Sequence, residues 1–341
     1  MKQTTLRYRA LRRVRSLPAE TASRLVGMPA ISRELNKAYE RARASHRPRL
    51  PRLSPPDMDI VAGLEKNGVY ITSLDELDLP GTDALWASAT GLADAYSLRA
   101  RTGEFAGDYT VQVGAEDLMR HPHIVRWPLN DRILNIVETY LGLPAAYDTV
   151  NLFYTQADGR QVAARRWHRD VEDRRMVRVI VYLHDVDEDT GPLEILHRSF
   201  PGSDVLDGAN FPVLTQEMLE ERLGSTLDAG NVTTCTGVAG TVIFADVASH
   251  YHRGRPAVAR TVVRCSTSSS RARRFDRSSA NGMCSRGSSF PSWRPARRPG
   301  RAIACCGTHA CLCSRGSSHG RGTSRIEATI AVVARSTPAP T

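Results

Sequence analysis

The feature that most restricts the fold is a series of short β-type segments that begins near residue 148. Segments rich in β-branched and aromatic residues follow one another there, separated by turns that contain Gly, Pro or Asp. Short strands with regularly placed turns are typical of a β-sandwich or barrel. The strands are predicted at residues 149–156, 176–183, 193–196, 241–247 and 258–263.

Most segments with helical periodicity precede these strands. Apolar side chains recur at helical spacing before residue 144, and one short strand interrupts them. Helices followed by packed strands predict an α+β, mainly β chain. We expect a jelly-roll barrel with an N-terminal helical layer against one sheet. The helices are predicted at residues 20–44, 57–67, 85–95, 132–143 and 215–223, and the early strand at 68–72.

Three side chains in the strand series have the spacing of a metal site. His168 and Asp170 are two residues apart, and His252 follows an apolar predicted strand. Alternate residues of an extended segment point the same way, so His168 and Asp170 can converge on one ion while Arg169 points elsewhere. Two imidazoles and one carboxylate form the facial triad that holds non-haem Fe(II). Spacing alone also allows a surface His168–Asp170 ion pair, and it does not separate His252 from His250.

Four motifs, taken together and in this order, resemble the phytanoyl-CoA dioxygenase family. The resemblance covers about residues 56–264, and the family consists of Fe(II)- and 2-oxoglutarate-dependent oxygenases on a double-stranded β-helix. The motifs are Trp-His-Arg-Asp at 167–170, the segment 181–193 ending in Thr-Gly-Pro-Leu, the segment 239–246, and His-Arg-Gly at 252–254.

The resemblance implies a set of site residues. His168, Asp170 and His252 would ligate Fe(II). An arginine on the strand after the distal histidine would hold 2-oxoglutarate, because a guanidinium matches a carboxylate. That arginine is Arg260 or, as the second candidate, Arg264.

Two residues of the strand before the metal motif are further candidates for 2-oxoglutarate contacts. Asn151 and Tyr154 could donate hydrogen bonds to it, although structural roles in the strand are the alternative. Because Asp170 is a carboxylate, hydroxylation is favoured over halogenation, for which similar enzymes carry a small residue at this place. We therefore expect a dioxygenase that hydroxylates a small organic or acyl substrate, with O2 and 2-oxoglutarate as co-substrates and succinate as a product.

The basic charge and the cysteines of the chain are concentrated after residue 264. Residues 265–341 hold 13 of the 46 Lys and Arg residues, 2 of the 36 acidic residues and six of the seven cysteines, within a chain of net charge +10. The preceding body is therefore close to neutral, which argues against nucleic acid as a partner. A single body cysteine predicts a reducing, cytoplasmic location without a disulfide framework. No apolar run is long enough to cross a bilayer, so a small molecule is the expected partner. The oligomeric state stays open.

Composition divides the chain into three regions. Residues 1–55 are predicted to be a basic helical and Pro-rich extension, residues 56–264 the dioxygenase domain, and residues 265–341 an Arg-, Ser- and Cys-rich disordered tail. The loss of acidic residues, the absence of Lys and the sudden cysteines of the tail suggest translation in a shifted reading frame, which sequencing of the coding DNA would test. The tail cysteines lack the paired spacing of a zinc module.

Other functions are compatible with the same residues. The chain could be a non-catalytic cupin-like binding protein, or an inactive product with a disrupted C-terminus. A third alternative is nucleic-acid binding through the basic tail, although its arginines have no interleaved aromatic residues.

Overall fold

In a computed structural model of the chain, the structure describes residues 29–170, 173–198, 212–258, 263–267 and 326–334. The described residues fall into two compact units, and the chain passes from the first to the second between Arg49 and Leu50. The first contains helix α1 (Pro29–His46) and a short 3-10 turn, Arg47–Arg49. Helix α1 overlaps the helix predicted at 20–44, whose first part lies outside the described residues. Among the described helices, none combines the length and apolar character needed to span a membrane.

The second unit begins with helices whose ends are fixed by capping residues. The side chain of Ser54 accepts a hydrogen bond from Asp57 N at the start of α2, and Gly68 ends that helix in the left-handed region. Asn130 and Gly142 cap the last helix, α7, in the same manner. The helices are α2 (Pro55–Asn67), α3 (Leu74–Leu77), α4 (Thr82–Arg101), α5 (Ala115–Arg120), α6 (Pro122–Arg126) and α7 (Asp131–Leu141), with a 3-10 turn at Trp127–Leu129.

The remaining elements are strands, one helix and a further 3-10 turn. The strands are β1 (Val69–Ser73), β2 (Thr110–Gln112), β3 (Ala145–Ala146), β4 (Val150–Thr155), β5 (Val177–Tyr182), β6 (Leu193–Leu196), β7 (Val232–Cys235), β8 (Thr241–Asp246), β9 (His252–Gly254), β10 (Val263–Thr267) and β11 (Ile326–Ala334), the helix is α8 (Gln216–Leu223), and the 3-10 turn is Ala163–Arg165.

The strands form a larger and a smaller sheet. The larger sheet has the order β1-β8-β5-β10-β11-β4-β2, and β7-β6-β9 form the smaller one. All pairings are antiparallel except that between β10 and β11. Residue 152 of β4 is the register partner of both Cys265 and Ala328.

A buried apolar cluster joins the two sheets. Ile180 and Tyr182 of β5 lie in it together with Leu193, Ile195 and Cys235 of the smaller sheet. Because side chains alternate along a strand, Arg178 belongs to the same face of β5 as Ile180. That face is directed toward the smaller sheet, and its end at residue 178 is close to the candidate metal site.

Several predicted elements agree with the structure. The predicted segments 149–156, 176–183, 193–196 and 241–247 contain β4, β5, β6 and β8. The segment predicted at 258–263 is different: the described strand is Val263–Thr267, and residues 259–262 lie outside the described residues. The short strands β7 and β9 are additions that the sequence did not reveal.

The tail after residue 264 contains two described extended segments. Its composition predicts no regular structure, but its described parts, 265–267 and 326–334, are strands. The physical reason is local. The segment Ile326–Ala334 (IEATIAVVA) is rich in β-branched residues, unlike the Arg- and Ser-rich sequence before it. It also finds hydrogen-bonding partners along β4 and β5.

Candidate metal centre

The three predicted metal ligands meet at one place. One ligand atom from each of His168, Asp170 and His252 can be chosen so that all three lie within 4.8 Å of one another. The backbones of the two histidines are paired directly, because His168 N donates to His252 O at 3.0 Å and His252 N donates to His168 O at 2.9 Å. Asp170 N donates to Val247 O at 2.9 Å. These backbone bonds bring residues that are 84 positions apart in the chain onto one side of the smaller sheet.

Both imidazole rings are held in the same tautomer by backbone carbonyl groups. His168 Nδ1 donates to Arg166 O at 2.8 Å, and His252 Nδ1 donates to His250 O at 3.3 Å. With Nδ1 protonated, each Nε2 carries the lone pair that a metal ion requires. A hydrogen bond from the second ring nitrogen to a carbonyl is also the usual way in which proteins orient a metal-binding histidine.

His252 supplies the clearest sign that a cation fits here. Its side chain is 3% exposed, and Nε2 is buried without a hydrogen-bond partner among the described residues. Burial, reinforced by the nearby His168 and Arg178, holds the pKa of His252 well below its ordinary value. The ring is therefore neutral at physiological pH. An unpaired buried acceptor costs about 1–3 kcal/mol, and coordination of a metal ion would remove this cost.

The carboxylate of Asp170 has two different partners. Its Oδ1 lies 3.8 Å from His168 Nε2, on the side of the imidazoles. Its Oδ2 accepts a short hydrogen bond from Arg178 Nη2. Arg169, between the two ligands in sequence, is directed elsewhere and donates from Nε to Ala248 O at 2.8 Å. This agrees with the expected alternation of an extended segment.

The structure separates His252 from His250, which spacing did not. His250 is 4% exposed, and its Nδ1 donates to Leu196 O at 3.0 Å. Its ring packs against the backbone of Gly68, on which an added Cβ would lie 2.5 Å from the ring. Burial lowers the pKa of His250 below its ordinary value. His250 is thus a packed core histidine, whereas His252 joins the three-residue group.

A buried carboxylate fixes the chain that leads to His252. Asp246, at the end of β8, is completely buried, and Tyr140 OH donates to its Oδ2 at 2.6 Å. The other oxygen, Oδ1, accepts from Ala248 N at 3.1 Å and Ser249 N at 2.9 Å, and from Met176 N at 3.4 Å. These bonds define the turn between β8 and β9, so the position of the distal histidine depends on them.

The outer side of the smaller sheet is closed by core packing around Trp167. The indole Nε1 donates to Gln216 Oε1 at 3.0 Å, and Trp167 packs with Leu196 and Leu214. The guanidinium of Arg253 lies 4.7 Å from the centre of a Trp167 ring, and its Nε donates to Glu194 Oε2 at 2.6 Å. Trp167 therefore supports the strand that bears His168 rather than covering the metal site.

The two residues of β4 that were predicted to contact 2-oxoglutarate lie on opposite faces of the strand. Asn151 and Ile180 share Thr329 as a register partner, which assigns Asn151 to the same sheet face as Arg178. Asn151 Oδ1 accepts a hydrogen bond from Gln112 Nε2. The Asn151 side chain is therefore hydrogen-bonded to a neighbouring strand. It lies on the interior face of the sheet but is not part of the three-residue group.

Tyr154 requires a correction, because it lies on the opposite face of β4 from Asn151. Its ring centre is 6.1 Å from that of Phe105, and burial raises the pKa of Tyr154 to about 12. The tyrosine packs with the helical layer, and a structural role explains it. Periodicity along β4 was the signal that could have separated the two residues.

Of the two candidate arginines, only the backbone of one is described. Arg260 lies outside the described residues. Arg264 is part of β10, where its register partner on β4 is Phe153. The tail residues considered for zinc, all between positions 305 and 313, also lie outside the described residues. One residue of the site escaped the sequence prediction: Arg178, whose signal was its isolation as the one charged residue of an otherwise apolar strand.

Comparisons with known proteins give distant structural likenesses. No protein-family model matches the chain, and no curated protein matches it. Among solved structures, EctD from S. alaskensis, with 2-oxoglutarate and 5-hydroxyectoine, is 18% identical, with a TM-score of 0.40 over 62% of this chain and 74% of that chain. HygX from Streptomyces hygroscopicus, with nickel and 2-oxoglutarate bound, is 16% identical, with a TM-score of 0.40 over 63% and 86% of the two chains.

A third likeness is to the epimerase SnoN in complex with Fe3+, alpha ketoglutarate and nogalamycin RO. It is 17% identical, with a TM-score of 0.42 over 64% of this chain and 86% of that chain. At this distance the likenesses carry no assignment of family or activity to the chain.

Proposed function

We propose that this protein is an Fe(II)- and 2-oxoglutarate-dependent dioxygenase of the phytanoyl-CoA dioxygenase type. The observation that carries the proposal is the convergence of His168, Asp170 and His252, with ligand atoms within 4.8 Å of one another. Two neutral imidazoles and one carboxylate are the ligand set of non-haem Fe(II) oxygenases, which leaves other coordination positions open. The orphaned Nε2 of His252 supports a resident cation in particular.

The order of the strands supports a double-stranded β-helix as the scaffold. In chain order, β4 and β5 belong to the larger sheet, β6 and β7 to the smaller, β8 to the larger, β9 to the smaller and β10 again to the larger. Repeated crossing between two facing antiparallel sheets is the course of a jelly roll. The triad lies beside the smaller sheet. His168 and Asp170 precede β5 in the chain, and His252 is the first residue of β9 and is bridged to His168.

The chain's own residues have separate roles in this proposal. His168 and His252 would each offer Nε2 to the ion, and Asp170 would offer the carboxylate oxygen that faces His168. When bound, Fe(II) supplies the activation of O2 that couples oxidative decarboxylation of 2-oxoglutarate to hydroxylation of a C–H bond. The balanced products are CO2, succinate and the alcohol. The apolar contacts between the sheets would keep bulk water from the reacting groups.

The distal carboxylate of 2-oxoglutarate needs a cationic partner. We propose Arg260 or Arg264 for this role. The support for Arg264 is its strand position next to β4, the strand that also carries Asn151 on the interior face. A guanidinium binds a carboxylate through two parallel hydrogen bonds, which fixes both distance and orientation. Exchange of each arginine for Gln, with the 2-oxoglutarate affinity as the readout, would decide between them.

The substrate class, domain limits and location follow from the sequence. We propose a small organic or acyl substrate, a catalytic domain at residues 56–264 between a basic extension at 1–55 and the tail at 265–341, and a cytoplasmic location. Cys235 is the single cysteine of residues 1–264, and one buried cysteine in this region fits a reducing compartment.

Anaerobic titration tests the metal site directly. We expect wild-type protein to bind one equivalent of Fe(II) and, on addition of 2-oxoglutarate, to develop a weak visible charge-transfer band. His168→Ala and His252→Ala should abolish the band. Loss of an outer-shell partner alone costs about 10–100-fold in metal affinity, so loss of a ligand should exceed about 100-fold. His123→Ala, at an exposed histidine, is the matched control and should bind as wild type does.

Turnover separates the proposal from its alternatives. Succinate formation from 2-oxoglutarate under air, lost in Asp170→Ala, is the expected outcome. Metal binding without succinate formation would instead indicate a binding protein or a chain inactivated by its altered C-terminus. Wild-type protein that binds no Fe(II) at all would refute the assignment.

A further inference from the structure

Arg178 is an unusual residue for its position. The strand β5 has the sequence VRVIVY, in which Arg178 is the one charged residue, and its partner on β8 is Ala245. It shares a strand face with Ile180 and Tyr182, which are buried between the two sheets. A long cationic side chain on such a face needs an anionic partner, because burial of an unpaired charge is costly.

The partner of Arg178 is the carboxylate of the candidate metal ligand. Arg178 Nη2 donates to Asp170 Oδ2, and this side chain of Asp170 is 10% exposed. The guanidinium Nε is buried without a hydrogen-bond partner in the described part of the chain. The Arg178 side chain is 25% exposed, so the pair is partly shielded from solvent, and its charge-assisted hydrogen bond is directional.

The two carboxylate oxygens of Asp170 thus have different neighbours. Oδ2 is engaged by Arg178, whereas Oδ1 lies 3.8 Å from His168 Nε2 and faces the imidazoles. The backbone of Asp170 is fixed independently through its bond to Val247 O. With backbone and one oxygen both fixed, rotation of the carboxylate about its last bond is restricted.

We propose that Arg178 is a positioning residue that restricts Asp170 to ligation through a single oxygen. This inference rests on the proposed function. A carboxylate that gave both oxygens to a six-coordinate ion would take a fourth position, and two would remain. A chelating 2-oxoglutarate occupies two positions and O2 needs a third, so the reaction requires the carboxylate to be held by one oxygen.

Arg178 could instead act only as a positive charge near the ion. In that case it would weaken metal binding by repulsion and would have no effect on the number of open positions. The two roles predict opposite results for a neutral replacement. A positioning role lowers the metal affinity by about 10–100-fold on replacement and removes one open position, whereas a purely repulsive role raises the affinity and leaves all positions open.

The test counts open positions with nitric oxide, a neutral ligand that Arg178 does not attract. Wild type, Arg178→Gln, Arg178→Lys and the control Arg255→Gln are loaded with Fe(II) anaerobically. Arg255 is a partly exposed arginine that pairs with Glu188. Metal and 2-oxoglutarate affinities are measured by titration, and the iron–nitrosyl electron paramagnetic resonance signal is recorded with and without 2-oxoglutarate.

We expect all four proteins to give the nitrosyl signal without 2-oxoglutarate. With 2-oxoglutarate bound, wild type and Arg255→Gln should keep the nitrosyl signal. In Arg178→Gln the intensity of this signal should be at least about tenfold lower than in wild type. Arg178→Lys, with a shorter side chain and one donor atom, should be intermediate.

Three outcomes would overturn the proposal. These are an undiminished ternary signal in Arg178→Gln, a metal affinity that rises while the signal is kept, and loss of 2-oxoglutarate binding itself, which would make Arg178 a direct contact. If Arg178→Gln does not fold, an undiminished signal in Arg178→Lys counts against the proposal. Wild-type protein without bound Fe(II) or 2-oxoglutarate would refute the proposed function, and the role of Arg178 would fall with it.

Discussion

Gly68→Ala tests whether the packing of the buried His250 ring against Gly68 supports the metal site. Gly68 ends α2 with φ +74°, a left-handed conformation that favours glycine. A Cβ added there would lie 2.5 Å from Cγ, Cδ2 and Nε2 of His250. The ring cannot simply move aside, because it is buried and its Nδ1 is bonded to Leu196 O. The substitution therefore combines backbone strain with a steric clash.

The two contributions can be separated with Gly81→Ala as a control. Gly81 has φ +84°, and an added Cβ would meet nothing within 4 Å. The left-handed conformation costs an L-residue about 1–2 kcal/mol, partly offset by the lower entropy of the unfolded chain. We expect Gly81→Ala to lower the free energy of unfolding by about 1 kcal/mol. Overpacking adds about 1–3 kcal/mol, so the loss for Gly68→Ala should be about 2–4 kcal/mol.

Urea unfolding followed by circular dichroism measures both losses. Because His250 precedes His252 by two residues, Gly68→Ala should also weaken Co(II) binding at the triad, whereas Gly81→Ala should leave it unchanged. Equal losses of stability in the two variants would show that the ring does not rest on Gly68. A metal affinity that is unchanged in Gly68→Ala would show that the position of His250 does not matter for the site.

Two further predictions concern a buried carboxylate and a partly buried histidine. Tyr140→Phe removes the O–H donor that lies 2.6 Å from the buried Asp246 carboxylate. The free energy of unfolding in urea should fall by about 1.5–3 kcal/mol, and a loss below about 0.5 kcal/mol would contradict this prediction. Burial lowers the pKa of His197, whose Nε2 lies 2.7 Å from Thr233 Oγ1, so the unfolded state takes up a proton first as the pH falls through about 6.5. The metal-free protein should therefore lose stability between pH 7.5 and 5.5, at most about 1.4 kcal/mol per pH unit from this group. His197→Gln should lose less than wild type over that range, and an equal loss would exclude this role.

The central strands could be predicted because their composition agrees with their burial. Apart from Arg178, the strand β5 is apolar on both faces, and β8 is buried along its whole length, so β-branched residues in both were a reliable signal. The strands β7 and β9 were missed because they are only three or four residues long. Their pairing depends on β6, which is distant in sequence.

The end of the larger sheet was harder to predict, since its composition is misleading. The Arg- and Ser-rich sequence around β10 and β11 has little apolar periodicity, yet both segments are extended and have register partners in the larger sheet. Strand pairing is satisfied by backbone groups, which every residue except proline provides as donor and acceptor. Side-chain composition therefore does not reliably predict which strands pair with each other.

The sequence by itself identified the three side chains of the candidate metal site. The spacing of His168 and Asp170, and the position of a later histidine after an apolar strand, were enough to predict a three-residue group. Local chain geometry explains this success, because alternate residues of an extended segment share a side.

Only the tertiary structure decided which residues act together across the fold. It selected His252 over His250, assigned Tyr154 to the helical layer, and brought Arg178 to the carboxylate of Asp170. These relations depend on which strand faces are buried and on the pairing of segments far apart in the chain. Such pairing is set by the packing of the whole domain, so no local sequence pattern records it.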